Sequence, residues 1–170
     1  MIGSTNENVD PTDMLFDGVY ELNFVDTAME AASICADALG LALRARAVIV
    51  HTHDFATDAL RVIAAYGDAP RSLLGSIAPG EQDLVASGVI CNGLPVTMHF
   101  DGEVPASAPH RLALIEAPRV VVAVPAIAWG RCVAVIEVID ADEGHESHVA
   151  DCATYVALHF AEFLSEREAA

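Results

Sequence analysis

The sequence predicts an α+β fold in which one antiparallel sheet of five to six strands packs between helices. Two valine-rich apolar runs, 119–128 and 131–140, are separated only by Trp129-Gly130, which is the spacing of a tight hairpin. Other segments repeat apolar residues every three or four positions, which is the period of one helical face. The predicted order is helix, two strands, helix, strand, loop, two strands, helix. This order is typical of an α+β domain.

The N-terminal third supplies the first helix and the first two strands. Residues 1–13 are polar and aperiodic, so we predict a mobile tail there, followed by a short helix or turn over 14–24. Helical spacing from Val25 to Gly40 predicts a helix with Gly40 as its C-cap. The β-branched segments 44–53 and 59–66 predict two adjacent antiparallel strands.

The central third is broken by glycine and proline. Segment 75–80 predicts a turn, segment 81–91 a short helix ended by Asn92-Gly93, and segment 94–100 a strand. Three prolines over 103–118 predict a long surface loop or a short helix, and long loops are often functional. Apolar residues at helical spacing over 149–164 predict a final amphipathic helix.

The predicted layers follow from the two hairpin strands, which lack polar alternation and so are expected to be buried on both faces. We expect the N- and C-terminal helices on one face of the sheet. The short helix and the long loop then cover the other face, where a pocket can form.

Composition and charge limit the function. The chain has 170 residues, 54% of them hydrophobic, which indicates one domain, placed at 14–170 after the tail. The longest apolar run, 120–129, is too short to span a bilayer, and no secretory signal is evident, so we expect a cytoplasmic protein. All eight basic residues are arginine, against 25 acidic residues, for a net charge of −17. This acidity argues against nucleic acid and membrane surfaces as partners, although it also serves solubility.

The reactive residue types give little sign of catalysis. Without lysine there is no Walker-type phosphate loop, Schiff-base lysine or lysine general base. The four cysteines have no CxxC spacing and are interpreted as reduced thiols, most of them buried. No Ser-His-Asp or Cys-His pattern is recognisable, so we expect no enzyme and name no cofactor.

Three stretches together resemble the GAF domain, a fold of sensory and regulatory proteins. They are ARAVIVHTHDFATDALRVIAAYGD at 45–68, GSIAPGEQDLVASGVICNGLPVTMHFD at 75–101 and VVVAVPAIAWGRCVAVIEVID at 120–140. The resemblance covers roughly 25–164. Ala134 departs from it, because a glycine commonly opens the last strand. The cysteine and aspartate pattern of the free methionine sulfoxide reductases, the chromophore cysteine of phytochromes and the cyclic-nucleotide signature are not visible.

The resemblance places a pocket against the last strand. Alternate residues of a strand lie on the same face of the sheet, so one face carries Val133, Val135, Glu137 and Ile139. The resemblance implies that this face lines the pocket. Glu137 would then accept a hydrogen bond from a ligand amine or hydroxyl, or else pair with an arginine such as Arg119 or Arg131.

Candidates on the loop side complete the predicted site, with ordinary loop polarity as the alternative interpretation. They are His99, Asp101, His110 and Arg111.

Two histidine pairs raise the question of a metal. His51 and His53 alternate along one strand, and His145 and His148 lie one helical turn apart. Both spacings suit two metal ligands, but a solvated pair is the simpler interpretation of each, and no metal is predicted.

We therefore expect a non-catalytic sensory module that binds a small, neutral or cationic, partly apolar ligand and signals through a partner protein. The alternative is a ligand-free adaptor that forms a homodimer through its terminal helices. A thiol-dependent enzyme related to the free methionine sulfoxide reductases is the least favoured interpretation.

Overall fold

The computed structural model describes residues 10–100, 109–114, 116–142 and 144–168. A six-stranded antiparallel sheet forms its centre, in the order β3-β2-β1-β6-β5-β4. The strands are β1 (Ala45–Asp54), β2 (Ala59–Gly67), β3 (Ile77–Pro79), β4 (Val96–His99), β5 (Val120–Ala128) and β6 (Arg131–Ala141). The α-helices are α1 (Pro11–Glu21), α2 (Ala28–Leu43), α3 (Leu84–Asn92), α4 (Pro109–Leu112) and α5 (Glu146–Glu168). The α+β prediction and the strand number are confirmed.

The sheet separates two apolar cores. Helices α2 and α5 pack on one face, where α1 lies against both of them, and Leu39 and Phe160 are among the fully buried side chains there. Helix α3 covers the opposite face, where the second core includes Val85, Ile49 and Val135. Burial on both faces is what the unbroken valine runs predicted.

The predicted hairpin turn lies between β5 and β6. Trp129 and Gly130 have φ angles of 53° and 72°, so both residues adopt the left-handed conformation that a two-residue hairpin turn requires.

The helix boundaries correct three sequence predictions. Helix α1 begins at Pro11, inside the predicted tail 1–13, because the Asp10 side chain accepts a hydrogen bond from the Thr12 amide and proline suits the first helical turn. Helix α2 continues past Gly40 to Leu43 and is capped by Arg44, whose φ is 47°. Gly40 serves packing instead, since a Cβ there would lie 2.2 Å from the Tyr66 ring.

The central segment differs from the prediction in its details. Ile77–Pro79, predicted as part of a turn, pairs with β2 as a short edge strand. Helix α3 begins at Leu84 and not at 81, because Asp83 provides its N-cap. It ends at Asn92, followed by Gly93 with a φ of 64°, as predicted. Of the predicted loop 103–118, the described part contains the single helical turn α4.

No helix in the described ranges is both long enough and apolar enough to span a membrane.

Candidate functional site

Five polar side chains are buried in the described part of the chain, and all five meet on the sheet face that α3 covers. We call this group the charged cluster. Its members are His51, Asp83, His110, Arg111 and Glu137, each with an exposed fraction of 4% or less. They come from β1, the N-cap of α3, α4 and β6. Burying several ionisable groups together is unfavourable unless they are paired, so this concentration marks a candidate site.

Glu137 lies at the centre of the cluster because β6 is an interior strand. Its neighbours across the sheet are Ile49 on β1 and Ala123 on β5. Val135 and Ile139 belong to the same apolar core. The carboxylate therefore enters an apolar layer with no exposure to solvent.

Asp83 holds both α3 and Arg111. Its Oδ1 accepts hydrogen bonds from the backbone amides of Val85 and Ala86, both at 3.1 Å. Arg111 Nη2 donates to Oδ1 at 2.9 Å and to Oδ2 at 3.0 Å. The same nitrogen also donates to Glu137 Oε1. The guanidinium of Arg111 thus lies between two buried carboxylates.

His110 contacts the other side of Glu137. Its Nε2 lies 3.1 Å from Glu137 Oε2 and 3.8 Å from Asp83 Oδ2. Its ring meets the ring of His51 edge to face, with centroids 4.6 Å apart. Helix α4 therefore places two consecutive side chains, His110 and Arg111, against Glu137.

His51 is the unpaired member of the cluster. Among the described residues, neither of its ring nitrogens has a hydrogen-bond partner. Glu137 Oε1 lies 3.8 Å from Nε2, beyond hydrogen-bond distance. Burial lowers the pKa of His51 to about 3, against an opposing effect of Glu137, so the ring is neutral near pH 7.

The pKa of Glu137 is also lowered, but here the charged neighbours are the cause and not burial. Burial alone would raise its pKa, but the Arg111 guanidinium and His110 outweigh burial and hold the pKa well below the ordinary value. Burial likewise disfavours charge on Arg111, and the carboxylates of Glu137 and Asp83 offset it, so the pKa of Arg111 is raised. Near pH 7 the cluster therefore contains an ionised Glu137, a charged Arg111 and a neutral His51.

The free space beside the cluster is small. A cavity of about 30 Å³ is lined by His51, His110, Asp83, Leu60 and Val62, together with Ser76 to Ala78. Such a volume has room for about one or two water molecules. A metabolite would enter only if side chains of the cluster moved out.

The structure brings together most of the predicted site residues. Val135, Glu137, Ile139, His110 and Arg111 lie in or beside the cluster.

The remaining two predicted residues are His99 and Asp101, and His99 does not join the cluster. His99 is exposed and pairs with Glu146 at the start of α5, at 2.7 Å. Asp101 lies outside the described residues. Glu137 does pair with an arginine, but the partner is Arg111 on α4 and not Arg119 or Arg131.

The predicted pocket face is interrupted at Val133. The register of β5 and β6 shifts there, with Ala126 opposite Ala134 and Ile127 opposite Cys132. Val133 is the extra residue of a β-bulge and packs against the core under α2 and α5.

The first histidine pair does not share a site. His53 contacts the Cys132 carbonyl at 3.1 Å and Asp58 at 2.8 Å, so it is not a second partner for His51. His148 lies 3.6 Å from the thiol of Cys152 at the exposed start of α5. Sequence reasoning did not place His51 and Asp83 in the pocket. Two sequence features could have indicated them: His51 is a histidine within an apolar strand, and Asp83 is an aspartate directly before a helix.

Comparison with solved structures identifies the fold. The GAF domain of a phosphoenolpyruvate-protein phosphotransferase from Coxiella burnetii matches with a TM-score of 0.78 and 17% identity, over 96% of this chain and 98% of that one. The NLH2 GAF domain of A. aeolicus gives 0.73 and 15%, over 92% and 96%. A free methionine-R-sulfoxide reductase from Neisseria meningitidis, in complex with its substrate, gives 0.71 and 18%, over 100% and 98%.

No protein-family profile matches the sequence, and neither does any curated protein. The structural matches are nevertheless extensive and consistent with one another. The chain has the GAF fold, as its three characteristic stretches predicted. At these identities the likeness concerns the fold alone.

Proposed function

We propose that the chain is a non-catalytic sensory or regulatory module of the GAF type that receives a small cationic ligand within the charged cluster. One observation carries this proposal: the Arg111 guanidinium lies between the buried carboxylates of Glu137 and Asp83. In this state the protein's own side chain fills a cation site. A ligand that carries a guanidinium or ammonium group has the same charge as the Arg111 side chain and can take its place between the two carboxylates.

The surroundings define the ligand further. Two carboxylates repel an anion, and together they can accept several hydrogen bonds from one ligand. A guanidinium group has a matching planar array of N–H groups. Leu60, Val62 and Val135 provide apolar surface beside the carboxylates. A small cation with a short aliphatic chain therefore fits both parts of the site.

Ligand exchange supplies a signal because Arg111 and His110 share α4. When a ligand takes the carboxylates, both side chains lose their buried partners and α4 leaves its position. The occupied and empty states then differ in the surface that α4 and its flanking chain present. We propose that a partner signalling protein detects this difference.

The cysteines support a non-catalytic role. None belongs to the charged cluster. Burial raises the pKa of Cys35 to about 12 and that of Cys132 to about 11, and it also raises the pKa of Cys152. A nucleophilic cysteine needs the opposite shift.

The proposal is tested by thermal unfolding with n-butylguanidinium and with its neutral analogue n-butylurea. Butylguanidinium at 100 times its dissociation constant is expected to stabilise the protein by about 2.7 kcal/mol, and butylurea is expected to have no effect. Glu137→Gln should abolish the stabilisation because it removes the carboxylate charge. Exposed Glu162→Gln is the matched control and should retain it. Equal stabilisation by the two compounds would contradict a cation site.

A further inference from the structure

A second set of potential metal ligands lies in the charged cluster beside Arg111. One ligating atom each of His51, His110 and Glu137 lies within 4.8 Å of the others, and all three side chains are buried. The Nε2 atom of His110 is 3.1 Å from Glu137 Oε2, and the Nε2 atom of His51 is 3.8 Å from Oε1. We call this set the His51 triad.

The His51 ring has hydrogen-bonding groups that are buried and unsatisfied. Its ring is 1% exposed and, within the described ranges, makes no hydrogen bond through either nitrogen. A buried polar group without a partner is unfavourable, and such groups are rare in folded proteins. A bound ion that accepts the lone pair of one ring nitrogen would satisfy that nitrogen. Neutral imidazole nitrogen is a preferred ligand of first-row transition metals.

The geometry suits a tetrahedral ion. Bonds of about 2.0 Å from zinc place its ligand atoms about 3.3 Å apart. His110 Nε2 already lies 3.1 Å from Glu137 Oε2. His51 Nε2 lies 3.8 Å from the other oxygen, Oε1, so the His51 ring must shift toward the ion on binding. The cavity of about 30 Å³ borders both His51 and His110. It has room for a water molecule as the fourth ligand. Two histidines, one carboxylate and one water form a recurrent zinc ligand set.

Charge and the remaining contacts agree with a cation here. The cluster contains two carboxylates, Asp83 and Glu137, against one guanidinium, which favours a cation over an anion. Asp83 stays bonded to the α3 amides and to Arg111, so it needs no rearrangement. Arg111 holds Glu137 through Oε1 and leaves Oε2 on the side of His110.

We propose that His51, His110 and Glu137 bind one divalent transition-metal ion of the zinc class, with a water molecule in the adjoining cavity. This site goes beyond the proposed cation receptor. It shares Glu137 with that receptor, and His110 lies on α4, which ligand exchange displaces, so the metal ion and the cationic ligand would exclude each other. The metal site depends on His51, whereas ligand exchange depends on Arg111. The two proposals can therefore fail separately.

The test uses the chelator-treated 170-residue protein in a Cys91→Ser, Cys152→Ser background. This removes the exposed thiol of Cys91 and the half-buried thiol of Cys152 next to His148. Zinc ion is titrated in competition with a chromophoric chelator. We expect one tightly bound zinc per chain. His51→Leu should weaken binding by more than about 100-fold, because losing a ligand exceeds the 10- to 100-fold effect of losing a residue that supports one. Leucine leaves no partner unsatisfied, so this variant should fold.

His99→Leu is the matched control, because His99 is exposed and lies outside the triad. It should bind zinc as the background protein does. Cobalt ion provides an independent readout, since tetrahedral nitrogen and oxygen ligation gives visible absorption bands without the thiolate charge-transfer band. Absence of stoichiometric zinc binding would overturn the proposal. Zinc binding that survives His51→Leu unchanged, or a cobalt spectrum with thiolate bands, would also overturn it.

Discussion

Arg111→Ala is expected to lower the free energy of unfolding by about 3–5 kcal/mol. The substitution removes the cation between Glu137 and Asp83 and leaves two carboxylates facing each other in an apolar layer. Removing one partner of a buried ion pair is much more damaging than removing an exposed one. Urea unfolding of Arg111→Ala checks the value. Exposed Arg71→Ala is the control and should stay within about 0.5 kcal/mol of the parent.

The same variant should be rescued chemically. Arg111→Ala deletes the atoms of an ethylguanidinium ion, so this ion fits the space that the side chain vacates. In the parent protein a ligand can bind only when the Arg111 side chain has left the two carboxylates. If that open state is populated to about 0.1–10%, removing the Arg111 side chain strengthens guanidinium binding by about 10- to 1,000-fold. Thermal unfolding should show stabilisation by ethylguanidinium and none by ethylurea. Rescue by both compounds, or by neither, would show that the carboxylate pair does not recognise a cation.

Glu137→Leu is expected to destabilise the protein by a similar amount, about 3–5 kcal/mol. Leucine fits the apolar layer, but Arg111 loses one of its two carboxylates and His110 loses its closest partner. The loss of stability therefore comes from the buried Arg111 charge, which loses one partner, and not from placing leucine in the apolar layer. Chemical denaturation of the single variant gives the first half of the test.

The double variant Glu137→Leu, Arg111→Met gives the second half. Replacing a whole buried ion pair by apolar residues is often neutral or stabilising, so the double variant should recover most of the loss. Asp83 keeps the two α3 backbone amides on Oδ1 in it but loses Arg111 from both oxygens, so part of the loss should remain. A double variant that is less stable than either single variant would contradict this account. It would mean that the two side chains stabilise the fold independently of each other.

Local pattern was sufficient to predict most of the fold. The turn at Trp129-Gly130 and the apolar strands around it could be recognised because hairpin spacing and strand composition are short-range properties. Features that depend on a neighbour in space were missed. Gly40 resembles a helix C-cap in sequence, yet the Tyr66 ring, 26 residues later, determines its role. Val133 leaves its predicted face because of a register shift that only the pairing with β5 reveals.

The site was predictable only in part for the same reason. Glu137 stands out in the sequence as a carboxylate within a valine-rich strand, and the predicted loop contained His110 and Arg111. The partners Asp83 and His51 come from other elements, and only the folded chain brings them within 4 Å of Glu137 or Arg111. The homodimer through the terminal helices stays a prediction.

The side chain of Arg111 offers the most direct test of the central claim that a cationic ligand enters by displacing it. Its Nε–H group is buried in the charged cluster. Its NMR signal, assigned by its loss in Arg111→Lys, should therefore exchange slowly with solvent. At saturating n-butylguanidinium we predict that this protection is lost while the amides of β6 stay protected. Butylguanidinium binding that leaves the Arg111 signal protected and unshifted would contradict the account.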